Sequence, residues 1–331
     1  MRVCLVGAGA VSGNHVAGIL AAGQELVAVC DILPERAEAL CHRFGLTLPI
    51  YSDYREMLAK EKPDAVHICT PHYLHTEMAL AALASGAHVF SEKPVSITPE
   101  DFERLLRAEK NSGRRYGVCF QNRVLPCNTA ARDFLKTAKP YSASGSVLWR
   151  RDAAYYASGD WRGKWETEGG GALINQAIHT LDLLVTLMGK PVSVKAEMKN
   201  IAHQGVCEVE DFAYLAVETT GGNFTLTATT AADDSYPVKM DFETCCGTLT
   251  VQDGDLYLNG ARILTDDGPE ALGKKVWGYG HGLLIDLFYR SITEGTPFPC
   301  DLASTEDTMR TVFAAYRSAK SGEREPVYPT N

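Results

Sequence analysis

The 331-residue sequence has no C-x-x-C pair, no long apolar run and no basic excess, and each absence closes off a class of protein. Its ten cysteines are scattered, mostly inside apolar stretches (Cys4, Cys30, Cys69, Cys119), with Cys245 and Cys246 adjacent. That is the usage of reduced structural thiols. It offers neither a zinc ribbon nor a secreted disulfide scaffold, so no metal site is expected. No stretch approaches the ~20 apolar residues of a membrane span. The apolar start is shorter than the ~7–15 residues of a signal-peptide core and runs into glycines. A cytoplasmic location without membrane partners is the matching expectation. The net charge of −9 removes the basic surface that nucleic acid or anionic lipid needs. No internal repeat or low-complexity segment interrupts the chain.

What is present is the make-up of a packed globular protein, with 45% hydrophobic and 22% charged residues, long enough for two domains. Residues 1–120 alternate strand patterns (2–6, 25–31, 65–69, a short one from 88, 116–120) with helical ones (10–22, 34–44, 53–61, 76–85, 99–111). Strands alternating with helices of this length mean βαβ units and a parallel, doubly wound sheet. The texture changes near residue 121. An irregular aromatic stretch and a periodic helix ending at Met188 lead into strand patterns from 192 to 264, with Gly221-Gly222 and Asp253-Gly254 as hairpin turns. Two helices, about 282–294 and 304–321, follow. The expectation is an α/β protein: a doubly wound domain over 1–121 and an α+β domain with an open, mostly antiparallel sheet over 122–331.

The first strand runs into Gly7-Ala8-Gly9-Ala10-Val11-Ser12 and then a helix. Gly7 allows the tight turn, Gly9 lets backbone approach a pyrophosphate, and Ser12 is small enough for close strand–helix packing. The phosphates would sit over Ala10 and Val11, on the free N–H groups of the helix N-terminus. Asp31 ends the next strand, where a carboxylate accepts from both adenosine ribose hydroxyls and repels a 2′-phosphate. That points to NAD in preference to NADP. His15, one turn into the helix, reads more readily as a packing histidine than as a ligand.

Two further stretches carry chemistry. The strand from His88 stops at Glu92-Lys93-Pro94, because proline has no N–H for the ladder. Lys93 is thereby placed at the carboxyl edge of the sheet, where open α/β sheets bind ligands; on this evidence alone it is either a surface charge or a catalytic group. Downstream, Gly169-Gly170-Gly171 precede a helix on which Asn175, His179 and Asp182 fall at i, i+4 and i+7, one shared face. By itself that face fits a hydrogen-bonded structural histidine as well as a catalytic one.

Taken together these pieces resemble the Gfo/Idh/MocA oxidoreductases along nearly the whole chain. The carriers are Gly7-Ala8-Gly9 with His15, Cys69-Thr70-Pro71 with His75, Glu92-Lys93-Pro94, Gln121-Asn122-Arg123, and Gly170-Gly171 through His179 and Asp182. The resemblance implies an N-terminal Rossmann domain, a C-terminal domain that often forms homo-oligomer contacts (dimer or tetramer), and NAD(P)-dependent chemistry at a secondary carbon of a sugar or cyclitol. It implies that Lys93 stabilises the developing alkoxide and His179 serves as general acid/base. Glu92 would meet the nicotinamide ribose, with Thr70, Pro71, His75 and Gln121 lining the cofactor. Asn175 stands where many sugar and inositol dehydrogenases have Asp; it can hold an imidazole but cannot raise its basicity by charge.

The segment 149–165, rich in Trp, Tyr, Arg and Asp, suits a polyhydroxylated ring, with Tyr156, Arg162 and Arg123 as candidate substrate contacts beside Lys93, Asn175 and His179. It resembles the branch acting on hexoses, glycosides or nucleotide-linked sugars, often at ring C3. The alternatives are an inositol 2-dehydrogenase, a glycosidase using NAD for transient oxidation, and a non-catalytic sugar-sensing regulator.

Overall fold

A computed structural model describes residues 1–266, 268 and 279–329. In chain order the first elements are β1 (Arg2–Val6), α1 (Ser12–Ala21), β2 (Glu25–Cys30), α2 (Pro34–Arg43), β3 (Ile50–Tyr51), α3 (Tyr54–Glu61), β4 (Ala65–Ile68), α4 (His75–Ala84), β5 (His88–Ser91), α5 (Pro99–Ser112) and β6 (Tyr116–Val118). There follow α6 (Pro126–Thr137), β7 (Pro140–Leu148), α7 (Ala153–Ala157) and α8 (Ile178–Met188), then β8 (Pro191–Lys199), β9 (Phe212–Thr219) and β10 (Asn223–Thr229). The chain continues with β11 (Lys239–Thr244), β12 (Gly247–Gln252), β13 (Asp255–Leu258), β14 (Ala261–Thr265), α9 (Gly280–Thr293), α10 (Glu306–Ser321) and β15 (Glu325–Pro326). No helix among the described residues is long and apolar enough to cross a membrane.

The chain divides into two compact units. The first holds Met1–Ser96, Glu100–Val124 and, where described, Gly268–Ser304. Its sheet has the order β3-β2-β1-β4-β5-β6, parallel at every pair. The apolar runs of β1, β4 and β5 are buried along their length, as strands covered on both faces must be. Helix starts follow the local chemistry. Asp53 accepts from the Arg55 N–H at 2.7 Å at the head of α3, and Pro99 opens α5 where its missing N–H costs nothing. Strand order reverses between β1 and β4, and in open α/β sheets the crevice at such a point is where ligands bind.

The sequence division at 121/122 differs from the observed one in a specific way. The first unit runs on to Val124 and then recovers a late segment. α9 lies against α1 closely enough that a Cβ on Gly18 would stand 2.6 Å from Ile285 Cδ1. Residues 300–302 extend β6, with Val118 N–H donating to Cys300 O at 2.8 Å and Leu302 N–H to Tyr116 O at 3.0 Å.

The second unit holds, where described, Leu125–Asp267, Thr305–Asn331 and the short piece Ile97–Pro99. Its nine-stranded sheet has the order β14-β13-β12-β11-β7-β10-β9-β8-β15. Pairing is antiparallel except between β10 and β7, which run parallel. The strands alternate buried and half-exposed positions, as in Phe224, Leu226 and Ala228 of β10, the pattern of a sheet with one face against helices. α8 and α10 cover that face, joined by Thr308 Oγ1 donating to Asp182 Oδ1 at 2.7 Å. The Asp253-Gly254 turn has both φ values positive (52° and 85°), the two-residue hairpin geometry its sequence signals.

Candidate active site

Each unit carries its own polar cluster. In the first, the β1–α1 turn is built to let backbone come close. Gly7 sits at φ 91°, and a Cβ there would meet the Cys69 carbonyl carbon and oxygen at 2.7 Å. Around Gly9 the space is open: nothing lies within 4 Å of where its Cβ would stand. Gly9 and Ala10 are exposed and Val11 half-exposed. α1 begins at Ser12, two residues later than the sequence pattern suggested, so Ala10 and Val11 lie in the turn itself. Ser12 tightens that turn through its hydroxyl, which donates to Gly9 O at 2.6 Å.

Asp31 closes the same end of the sheet. Its two carboxylate oxygens accept from Ala8 N–H (2.7 Å) and Leu33 N–H (2.9 Å). The β1 and β2 ends are thereby tied together around one fixed negative charge. An open glycine turn, a helix N-terminus and a clamped carboxylate fit a dinucleotide's pyrophosphate and ribose.

On the other side of the strand reversal, Thr70 and Pro71 follow β4 half-exposed. His75 has no exposed surface. Its Nδ1 lies 2.7 Å from Pro94 O and its Nε2 2.8 Å from Thr70 O. The ring braces the two loops rather than offering a nitrogen outward. Lys93 is half-buried and precedes a cis proline peptide. Glu92 is buried and is held by His15 (3.0 Å) and His281 (3.4 Å). These contacts keep its carboxyl well below the usual carboxylate range despite the opposing effect of burial. His15, Glu92, Cys119 and His281 bring donor atoms within 4.8 Å of one another. Burial pushes the Cys119 thiol up, away from the thiolate a metal needs, and both histidines are already turned to the carboxylate. The group is a hydrogen-bonded cluster. Gln121 is buried and receives the Cys119 thiol at 3.7 Å.

Arg123, expected at a substrate, is instead 7% exposed. It donates through Nη1 to Pro299 O (2.8 Å) and Ser304 Oγ (2.9 Å), and through Nη2 to Ser304 O (3.0 Å). Its guanidinium holds the 299–304 turn.

The second unit's cluster forms around a helix that is not α-helical at its start. Residues Ala172–Ala177 form a π turn before α8 begins at Ile178. Wider π turns displace side chains relative to an α-helical stripe and recur at functional sites. Asn175 lies in the π turn, half-buried His179 in the first turn of α8, and Asp182 points to Thr308. Gly171 precedes the turn because a Cβ there would stand 2.0 Å from Glu210 O. The buried Glu210 carboxyl accepts from Gly171 N–H (2.9 Å), Leu173 N–H (3.0 Å) and the Tyr316 hydroxyl (3.0 Å). Burial still pushes it up to about 7.

Asn175 Nδ2 donates to Glu168 and to the Tyr155 hydroxyl at 3.2 Å. The same hydroxyl receives Arg162 Nη1 and Gln176 Nε2, both at 2.6 Å. Arg162 also stacks on the Tyr155 and Trp161 rings, each 4.5 Å from its guanidinium carbon. Arg162 and Asn175, both candidate substrate contacts, thus share the Tyr155 hydroxyl as a hydrogen-bond partner. Tyr156, the residue chosen from sequence, is 7% exposed and bonds Thr230 Oγ1 at 3.0 Å; it belongs to the core. Tyr155, Gln176 and Glu168 are the members that sequence reasoning missed. The available signal was Asp152, whose carboxylate accepts from the Tyr155 N–H at 2.9 Å and fixes the start of α7, and with it the faces on which the two tyrosines lie.

Comparison with known proteins agrees with this geometry. Residues 1–120 match the oxidoreductase family described as an NAD-binding Rossmann fold, and residues 137–250 match the GFO/IDH/MocA C-terminal domain. The chain is 30% identical to D-glucoside 3-dehydrogenase of Escherichia coli (strain K12), over 98% of this chain and 97% of that protein. The WlbA dehydrogenase of Bordetella pertussis, solved with NADH and UDP-GlcNAcA, superposes with a TM-score of 0.86 at 29% identity, covering 100% of this chain and 99% of that one. A levoglucosan dehydrogenase in complex with NADH and levoglucosan shares the fold, with a TM-score of 0.87 at 22% identity over 99% and 100% of the two chains. With both domains matched and a curated relative aligned from end to end, the chain belongs to the Gfo/Idh/MocA family of oxidoreductases.

Proposed function

We propose that this protein moves a hydride between a nicotinamide cofactor and a secondary alcohol or ketone carbon of a sugar or glycoside, with ring C3 of a glucoside as the first candidate. The observation that carries this reading is the end-to-end likeness to D-glucoside 3-dehydrogenase in a chain that carries Lys93, His179 and the Tyr155 cluster. NAD, when bound, supplies the hydride acceptor; the chain must supply binding and a path for the proton. Gly7, Gly9, Ala10 and Val11 present backbone to the pyrophosphate. Asp31 accepts from the ribose hydroxyls and disfavours a 2′-phosphate, which makes NAD the preferred cofactor over NADP. Thr70, Pro71, Glu92 and Gln121 belong to the nicotinamide side, and His75 shapes it by holding Thr70 and Pro94.

Lys93 favours the alkoxide by its charge, and His179 takes the hydroxyl proton as general base. Asn175, tied to Glu168 and Tyr155, orients without adding charge. Arg162 and the Tyr155 face offer the sugar a cationic donor and an apolar platform. The likeness to WlbA favours a second reading, a nucleotide-linked sugar as substrate. NADH absorbance measured with methyl glucosides, UDP-linked sugars and inositols separates the readings. Turnover confined to glucosides supports the first, and turnover confined to UDP-sugars supports the second. Release of an aglycone without net NADH contradicts both.

A further inference from the structure

Glu92 ends a buried chain of hydrogen bonds whose other members, His15, His67 and Tyr289, the proposed chemistry does not use. Tyr289 Oη lies 2.8 Å from His67 Nε2, His67 Nδ1 lies 2.9 Å from His15 Nδ1, and His15 Nε2 lies 3.0 Å from Glu92 Oε1. The four residues come from α9, β4, α1 and the end of β5, all within the first unit. His15 and His67 have no exposed surface, Tyr289 is 2% exposed and Glu92 is 7% exposed. Water therefore does not complete these bonds, and the protons must be shared out among the four groups themselves.

Counting donors leaves two arrangements with neutral rings. In one, the Tyr289 O–H donates to His67 Nε2, His67 Nδ1–H donates to His15 Nδ1, and His15 Nε2–H donates to an ionised Glu92. In the other every bond is reversed, and Glu92 must carry a proton to donate to His15. The two differ by one proton, and an ionised Glu92, which can only accept, requires the first set of tautomers in both histidines. His281 Nε2, 3.4 Å from the same carboxylate oxygen, adds a second donor that only the ionised form can use fully. Burial lowers both His15 and His67, which keeps them neutral, while the imidazole contacts lower Glu92. All three directions select the first arrangement.

We propose that Tyr289, His67 and His15 are positioning residues that fix Glu92 as a permanent buried anion at the end of β5, and that this anion sets the preference of the site for oxidised over reduced nicotinamide. The second half rests on the reading above that Glu92 lies on the nicotinamide side. A carboxylate there attracts the cationic oxidised ring and is indifferent to the neutral reduced one.

Two readouts keep the parts separate. Histidine-labelled full-length protein without cofactor, observed by long-range 1H–15N correlation, should show His15 protonated on Nε2 and His67 on Nδ1. The opposite tautomers overturn the chain, whatever the function. Dissociation constants for NAD+ and NADH are then measured by titration. Glu92→Gln and His67→Leu should each shift their ratio toward NADH by about tenfold, the scale of one charge-assisted hydrogen bond. His67→Gln, whose amide can still donate to His15, should return it to within about twofold of wild type. Should His67→Leu fail to fold, Tyr289→Phe keeps the ring and removes only the first proton of the chain. It should move the ratio in the same direction, by less. Correct tautomers with an unchanged ratio in Glu92→Gln contradict the placement of Glu92 at the nicotinamide and overturn the second half of the proposal.

Discussion

Glu210 makes a quantitative test of the second unit. Its carboxyl is buried against the start of the π turn, and burial outweighs the three donors it receives, raising it from 4.5 to about 7. Between these values the native state holds a proton that the unfolded chain has lost. Stability therefore falls as pH rises through that window, and the full penalty is present above about 7. A shift of this size corresponds to roughly 3 kcal/mol. Glu210→Gln removes the titration while keeping one oxygen for Leu173 N–H and Tyr316. It leaves the Gly171 N–H facing an amide, a cost of about 1–3 kcal/mol at every pH. The offset between the proteins is thus not diagnostic, but the slope is. In urea unfolding from pH 5 to pH 8 the wild type should lose about 3 kcal/mol relative to the variant, since every other carboxylate is common to both and cancels. Parallel profiles would refute the argument that burial dominates at this site.

Other outcomes follow from the same geometry. Asp31→Ser should raise kcat/KM with NADP relative to NAD by at least about tenfold, because the clamped charge opposing a 2′-phosphate is gone; an unchanged cofactor ratio removes that role. Tyr155→Phe should raise KM for the sugar more than it lowers kcat, by unseating Arg162 and Gln176. Tyr156→Phe should alter stability by about 1 kcal/mol through its lost bond to Thr230, with KM unmoved. The same loss of sugar binding in both variants contradicts the assignment of Tyr155. Gly7→Ala should abolish detectable cofactor binding in a titration, because its Cβ meets the Cys69 carbonyl at 2.7 Å at a φ of 91°.

How far the sequence could be read depended on whether a requirement was local. The Gly7-x-Gly9 turn and the Asp31 position were legible because a backbone collision and a strand end leave few residue choices. The parallel sheet followed from apolar runs spaced by helices, and the Asp253-Gly254 hairpin from residues that tolerate positive φ. The π turn was not legible. Residues four apart look alike on either helix type, and what selects the wider turn is Glu210 accepting from Gly171 and Leu173, contacts 39 and 37 residues apart. Tyr156 was preferred over Tyr155 because adjacent residues share composition, and the faces they take depend on where the Asp152 cap starts α7. Arg123 looked like a substrate donor until the 299–304 turn, 176 residues later, supplied its acceptors. The same distance problem hid the histidine chain: His15 was read correctly as a packing residue, but its partners His67 and Tyr289 lie 52 residues apart from it and 222 from each other, respectively.

The most direct test is steady-state NADH formation by the wild type, Lys93→Ala and His179→Ala with one glucoside substrate confirmed by product analysis. The account predicts wild-type turnover coupled one-to-one to oxidation of a ring hydroxyl, and a kcat lowered at least about a hundredfold in each variant, the scale of a positioned acid–base group. Near-wild-type turnover in either variant, in protein with an unchanged melting profile, would contradict it.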